Sequence, residues 1–137
     1  MITPEMLAKS GTEHGEQAAL FQWCALNIKE YPQLKWLYAI PNGFFATAGQ
    51  KAKMKAEGLK DGVPDICLPL SKVLDKYKLV SGLYIELKIP KRRNHKNGGC
   101  SNEQYEWLTY LINAGYQCYV CYGWEDARDK ILEYLNG

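Results

Sequence analysis

The residues best suited to chemistry lie in one short run, Leu83 to Ile89. Leu83, Ile85, Leu87 and Ile89 are apolar, and Tyr84, Glu86 and Lys88 alternate with them. That period of two predicts a strand with Glu86 and Lys88 as neighbours on one face. A Glu and a Lys so spaced also occur on the wet side of any half-exposed strand, so the pair alone decides little. The bend Gly62-Val63-Pro64 opens a second brief strand, Asp65 to Leu70, and pairing the two strands would bring the carboxylates of Asp65 and Glu86 together. Carboxylates sharing a site repel, which raises one pKa unless a cation neutralises them. Mg²⁺ resolves the conflict, because it takes oxygen ligands, keeps several waters and is commonly held by one or two carboxylates plus substrate phosphate oxygens. Such an ion polarises a phosphoryl oxygen and acidifies bound water, while an adjacent lysine orients or deprotonates the attacking water.

Two further polar residues sit where helices would aim them at this pair. Gln104 precedes Trp107 by three residues and Leu108 by four, so its amide points the way the apolar stripe points, toward a sheet. It also completes a capping box with Ser101, a role that needs no chemistry at all. Glu16 lies one turn before Leu20, at the edge of a helix's buried face, and equally suits a solvent carboxylate near a helix N-terminus.

The elements that must position these groups are legible in outline. Thr12 caps a helix running to about Lys29, with Phe21, Cys24, Ala25 and Ile28 as its apolar stripe, and Trp36 to Ile40 reads as a buried strand,. Pro41-Asn42-Gly43 is a turn, Ala46 to Glu57 a short helix, and basic, glycine-ended Lys91 to Gly99 a loop,. A helix from Ser101 to Gly115, a strand from Tyr116 to Cys121 and a helix from Trp124 to Leu135 complete the chain. This order predicts an α/β fold, a mixed central sheet with helices on both faces. With 137 residues, 47% hydrophobic, one domain spanning 1–137 is expected, with a core that needs no disulfide or structural metal.

Five cysteines and no secretory leader predict free thiols in a reducing, intracellular (cytoplasmic) setting, and no apolar run reaches bilayer length. Cys118 and Cys121 face opposite sides of a strand without a second pair, which is no zinc site. His14 and His95 share no metal spacing, so His14 reads as helix surface and His95 as one more polar loop residue.

Charge is segregated. Residues 51–96 carry 12 basic and 5 acidic side chains, a balance of +7, against −5 elsewhere. Lys51, Lys53, Lys55, Lys60, Lys91, Arg92, Arg93 and Lys96 are candidates for a phosphate track.

Taken together in order and spacing, Pro41-Asn42-Gly43, Gly58-Leu59-Lys60-Asp61-Gly62-Val63-Pro64-Asp65, Glu86-Leu87-Lys88 and Ser101-Asn102-Glu103-Gln104 resemble the virus-type replication-repair nuclease (VRR-NUC) domain of the PD-(D/E)XK nuclease superfamily, over nearly the whole chain. The resemblance implies a restriction-endonuclease-like core. It implies that Asp65 and Glu86 are metal-binding acids and the carbonyl of Leu87 a further ligand. It makes Lys88 the catalytic lysine, Gln104 the motif glutamine and Glu16 the acid that the family carries on its first helix. The implied cofactor is Mg²⁺ or Mn²⁺, with no organic cofactor and no membrane partner. The implied activity is structure-specific cleavage of DNA, with the four-way (Holliday) junction as target. Many relatives append the domain to larger proteins, so here target selection is expected to fall to its own surface or to a second copy in a C₂ homodimer. The alternatives are a flap or other duplex-directed nuclease of the same fold, and a non-catalytic nucleic-acid-binding module.

Phosphate contacts set affinity and salt dependence and carry no direct sequence information. Joint replacement of Lys91, Arg92 and Arg93 by alanine is therefore expected to weaken DNA binding and flatten its dependence on ionic strength. Titrating labelled DNA over a salt series measures this, and an unchanged slope would count against the track.

Overall fold

The computed structural model describes residues 1–43 and 46–137. Two helices open the chain, α1 (Pro4–Ala8) and α2 (Glu13–Leu26), the second capped by the Thr12 hydroxyl accepting from the Gly15 amide. A strand β1 (Tyr38–Ala39), a helix α3 (Ala48–Ala56) and a strand β2 (Ile66–Leu68) follow. Next come a hairpin, β3 (Lys72–Leu74) and β4 (Lys78–Val80), and the strand β5 (Leu83–Lys88). Helix α4 (Asn102–Asn113), strand β6 (Gln117–Tyr122) and helix α5 (Trp124–Asn136) close the chain.

The central sheet has the order β1-β2-β5-β6, antiparallel except for the parallel β5/β6 pair, and is therefore mixed. The alternation in β5 assigns its two faces. Leu83, Ile85 and Leu87 join Ile66 and Leu68 of β2 in a core filled by Ala19, Leu20 and Cys24 of α2 and by Trp124, Ala127 and Ile131 of α5. On the other face α4 packs along β6. Helices α2, α4 and α5 bury apolar residues against the sheet, so helices flank it on both sides as the pattern of elements predicts,. All five cysteines are free thiols.

Several boundaries differ from those the sequence suggests, each for a local reason. Helix α2 ends at Leu26, where Asn27 leaves helical geometry (φ −118°, ψ 13°) and its side-chain amide donates back to the Trp23 carbonyl. Its buried stripe is Glu16, Ala19, Leu20 and Cys24, whereas Ala25 and Ile28 are exposed. The segment Trp36 to Ile40 is not a buried strand. Pro32 starts a 3₁₀ turn that ends at Trp36, and only Tyr38 and Ala39 pair, as an exposed edge. An apolar run reads alike in a core and on such an edge. The basic loop at 91–99 contains two 3₁₀ turns. The β3/β4 hairpin, absent from the sequence reading, turns through Asp75 and Lys76, both with positive φ. Neither is the glycine that usually signals such a turn.

Position 62 couples the two halves of the site. Gly62 has φ +87°, and a Cβ there would come within 2.5–2.7 Å of Glu103 at the start of α4. Gly62→Ala is expected to cost about 2–4 kcal/mol, combining left-handed strain with overpacking against fixed backbone. Denaturant unfolding measures this, and a loss near zero would mean that α4 does not rest on this turn.

Candidate active site

The β2/β5 pairing does what the sequence expectation required. Ile66 lies opposite Ile85, and the Asp65 amide donates to the Ile85 carbonyl at 3.0 Å, so Asp65 is next to Glu86 at the end of the ladder. The carboxylate of Asp65 turns back to accept from the Leu87 amide at 2.7 Å. Groups on one edge of a strand recur every second residue, and the Ile85 carbonyl and Leu87 amide both face β2,. The Leu87 carbonyl therefore lies on the β2 side of β5, past the last paired residue of β2,.

Beside these acids, α4 contributes a single amide with several tasks. Gln104 Oε1 accepts from Lys88 Nζ at 2.9 Å and from the Ser101 amide at 2.9 Å, while Nε2 donates to Glu86 Oε2 at 3.1 Å. The Gln104 amide in turn donates to Ser101 Oγ, which closes the capping box. Both roles considered for Gln104 are thus performed together, and the helix cap is what aims the side chain. Lys88 Nζ lies 3.5 Å from Glu86 Oε2.

Burial sets the electrostatics. β5 is not the half-exposed strand that alternation alone suggests, since Glu86 is 1% exposed and Lys88 4%. Among the described residues, Glu86 Oε1 has no hydrogen-bond partner. Desolvation, and then the neighbouring Asp65, push the Glu86 carboxyl up from its ordinary 4.5 to about 9 against the opposing pull of Lys88. Burial beside a second acid thus disfavours ionisation of Glu86, and added positive charge would favour it,.

A third acid joins them. Glu13, Asp65 and Glu86 each offer a carboxylate oxygen, all within 4.8 Å of one another, graded from exposed through half-buried to buried. Of the two acids at the start of α2, Glu13 and not Glu16 lies with Asp65 and Glu86. Glu16 is 6% exposed and accepts from the Trp124 backbone amide. It caps the start of α5, whose Gly123 has no side chain to do so,. Burial raises its pKa. As the first residue of α2, Glu13 has the sequence signature of an ordinary N-terminal carboxylate,. Only the approach of α2 to β5 distinguishes it.

Three carboxylates and a carbonyl suit a hard divalent ion such as Mg²⁺ or Mn²⁺, and the orphaned, buried Oε1 of Glu86 is a ligand atom without a partner,. The proposed basic track divides. Arg92 and Lys96 line a cleft with Lys88 and Gln104, whereas Lys51, Lys53, Lys55, Lys60, Lys91 and Arg93 do not. Lys55 pairs with Asp61 at 2.9 Å, and Arg93 lies over the Tyr122 ring and 3.8 Å from Asp126.

The model of the VRR-NUC domain matches residues 11–125. The chain belongs to the VRR-NUC family, whose domain is a nuclease of the PD-(D/E)XK type, a class generally dependent on divalent metal and with DNA as its implied substrate. A solved structure described as a VRR_NUC domain protein shares the fold, with a TM-score of 0.68 and 22% identity over 91% of this chain and 88% of that one. No match was found among the curated proteins.

A carboxyl with a raised folded pKa is protonated when folded and ionised when unfolded across the window between the two values. Unfolding then releases a proton, and stability falls as pH rises from the ordinary carboxylate range to about 9,. In metal-free buffer, Glu86→Gln is expected to flatten this decline and to be more stable than wild type at the alkaline end. Melting temperatures across the pH range test this, and parallel profiles for the two proteins would refute it.

Proposed function

We propose that this protein is a Mg²⁺- or Mn²⁺-dependent endonuclease that cuts branched DNA, with the four-way junction as its target and a C₂ homodimer as its working form. The observation that carries the hydrolytic reading is the convergence of Glu13, Asp65 and a buried, half-satisfied Glu86 beside a lysine held by Gln104. Binding alone has no use for that arrangement, because a buried acid pair is costly and repels the phosphates a binding surface must attract.

The carboxylates of Glu13, Asp65 and Glu86, with the Leu87 carbonyl, would hold the ion. When bound, it supplies charge neutralisation and Lewis acidity toward a phosphodiester. The chain's own groups do the rest. Lys88, fixed at 2.9 Å from Gln104 Oε1, presents its ammonium to orient an attacking water and to counter the charge that develops on the phosphoryl oxygens. Gln104 holds the ammonium and the Glu86 carboxylate in register through its two ends, so neither swings freely and little reorganisation remains at the moment of reaction.

A four-way junction is two-fold symmetric and needs two matched cuts, which a two-fold dimer supplies by placing a second active site opposite the first. Tyr105, Tyr110 and Ile112 of α4 are exposed and provide apolar surface for such a pairing.

Labelled junction, flap, duplex and single-stranded DNA, each with Mg²⁺, Mn²⁺ or EDTA, test the reading. Wild type is expected to cut the junction symmetrically with either metal and not with EDTA. Glu86→Ala is expected to cut roughly 100-fold or more slowly while still binding. Binding without cleavage under any metal would leave only the binding-module reading, and flap preference would displace the junction. A monomer in sedimentation with junction DNA would remove the dimer.

A further inference from the structure

The cleft beside the acidic cluster has a composition of its own. Its volume is about 550 Å³, and Lys88, Arg92, His95, Lys96, Ser101 and Gln104 contribute to its walls, with Gly99 and Cys100. No carboxylate lines it, although three stand next door. Lys88 and Gln104 belong to both places, so the cleft and the acids share a wall.

Arg92 is fastened in place. Arg92 Nη2 donates to the Gly99 carbonyl at 3.0 Å, and a Cβ on Gly99 would stand 3.0 Å from both Cβ and Nε of Arg92. Gly99 is buried with φ +81°, so glycine provides both the backbone conformation and the space in which the guanidinium lies. The loop is tied down on its far side as well. Tyr122 Oη donates to the Gly98 carbonyl at 2.7 Å, and Arg93 stacks over the same ring at 4.9 Å. A guanidinium held in advance loses little entropy on binding an anion. The cleft also opens at Ser101, the cap of the twelve-residue helix α4, where the helix dipole adds positive potential,.

We propose that this cleft is a phosphate subsite that takes one backbone phosphodiester of the cut strand, adjacent to the scissile one, with Arg92, His95 and Lys96 as its recognition groups. The proposal rests on the nuclease reading for the identity of the strand, but not for the anion chemistry. It separates Arg92 and Lys96 from the rest of the basic track and gives them a task beyond general affinity, since an anchored neighbouring phosphate sets which bond faces Glu86 and Lys88. It also gives a role to His95, which in the sequence is only one polar residue in a basic loop.

Two measurements decide it. In the first, inorganic phosphate is titrated into the whole protein without metal at constant ionic strength, with chloride as the control, and backbone amides are followed by NMR. Phosphate is expected to shift Gly99, Cys100 and Ser101, and Lys96→Ala, at an exposed position, is expected to weaken this binding about fivefold or more. Unmoved resonances, or equal binding by the variant, would overturn the subsite. In the second, neutral methylphosphonates replace single phosphates of the cut strand. One flanking position is expected to slow wild-type cleavage about tenfold or more, and that same replacement to slow Arg92→Lys and Lys96→Ala by less than about twofold further. Losses that simply multiply would overturn it. If no DNA is cut at all the nuclease reading falls, while the phosphate titration still decides the subsite.

Discussion

A carboxylate that is 1% exposed, with another carboxylate in reach and a lysine 3.5 Å away, sets the terms for everything around it. Desolvation favours its neutral form, the neighbouring acid favours it further, and the ammonium opposes both,. The balance of these effects raises the Glu86 pKa to about 9. Glu86 is also one of three acids whose carboxylate oxygens lie within 4.8 Å of one another. The rest of the molecule can be read as the apparatus that keeps Glu86 in this position and keeps its partners from relaxing away.

Three long-range contacts supply that apparatus. The ladder between β2 and β5 fixes Asp65 against Glu86, and the Asp65 carboxylate reinforces it by bonding to the Leu87 amide. The capping box of α4 holds Gln104 at a defined angle, so an interaction that ordinarily serves only a helix end here also grips Lys88 and Glu86. Glu16, bonded to the first turn of α5, ties α2 to the region where the Gly123 amide donates to the Lys88 carbonyl at 2.8 Å. Glu13, one turn earlier on α2, is thereby brought to the cluster. Glu16 itself meets the backbone of α5, while Glu13 is the α2 acid beside Asp65 and Glu86.

Much of this was legible in the sequence, and the failures share a cause. The Glu86/Lys88 alternation, the Asp65 bend, the Ser101/Gln104 cap and the mixed α/β order are local patterns, and the structure reproduces them. The β3/β4 hairpin was missed because its turn residues, Asp75 and Lys76, adopt positive φ without a glycine to announce it. Trp36 to Ile40 was misread because apolar character does not tell a core strand from an edge. Glu13 was not singled out because an acid in the first turn of a helix needs no further explanation, and only the packing of α2 says which carboxylate meets β5 and which meets α5.

By itself the sequence determined the chemistry on offer: which side chains alternate on one strand face, which residue caps which helix, and where glycine permits a bend. Those properties depend on neighbours within a few residues, so they survive without knowledge of the fold. Tertiary structure alone decided how deep Glu86 lies, which acid becomes its third companion, and that Arg92, His95 and Lys96 enclose a cleft beside it. Solvent exclusion and convergence arise from surfaces distant in the chain packing against one another, and no local pattern encodes the distance at which they meet.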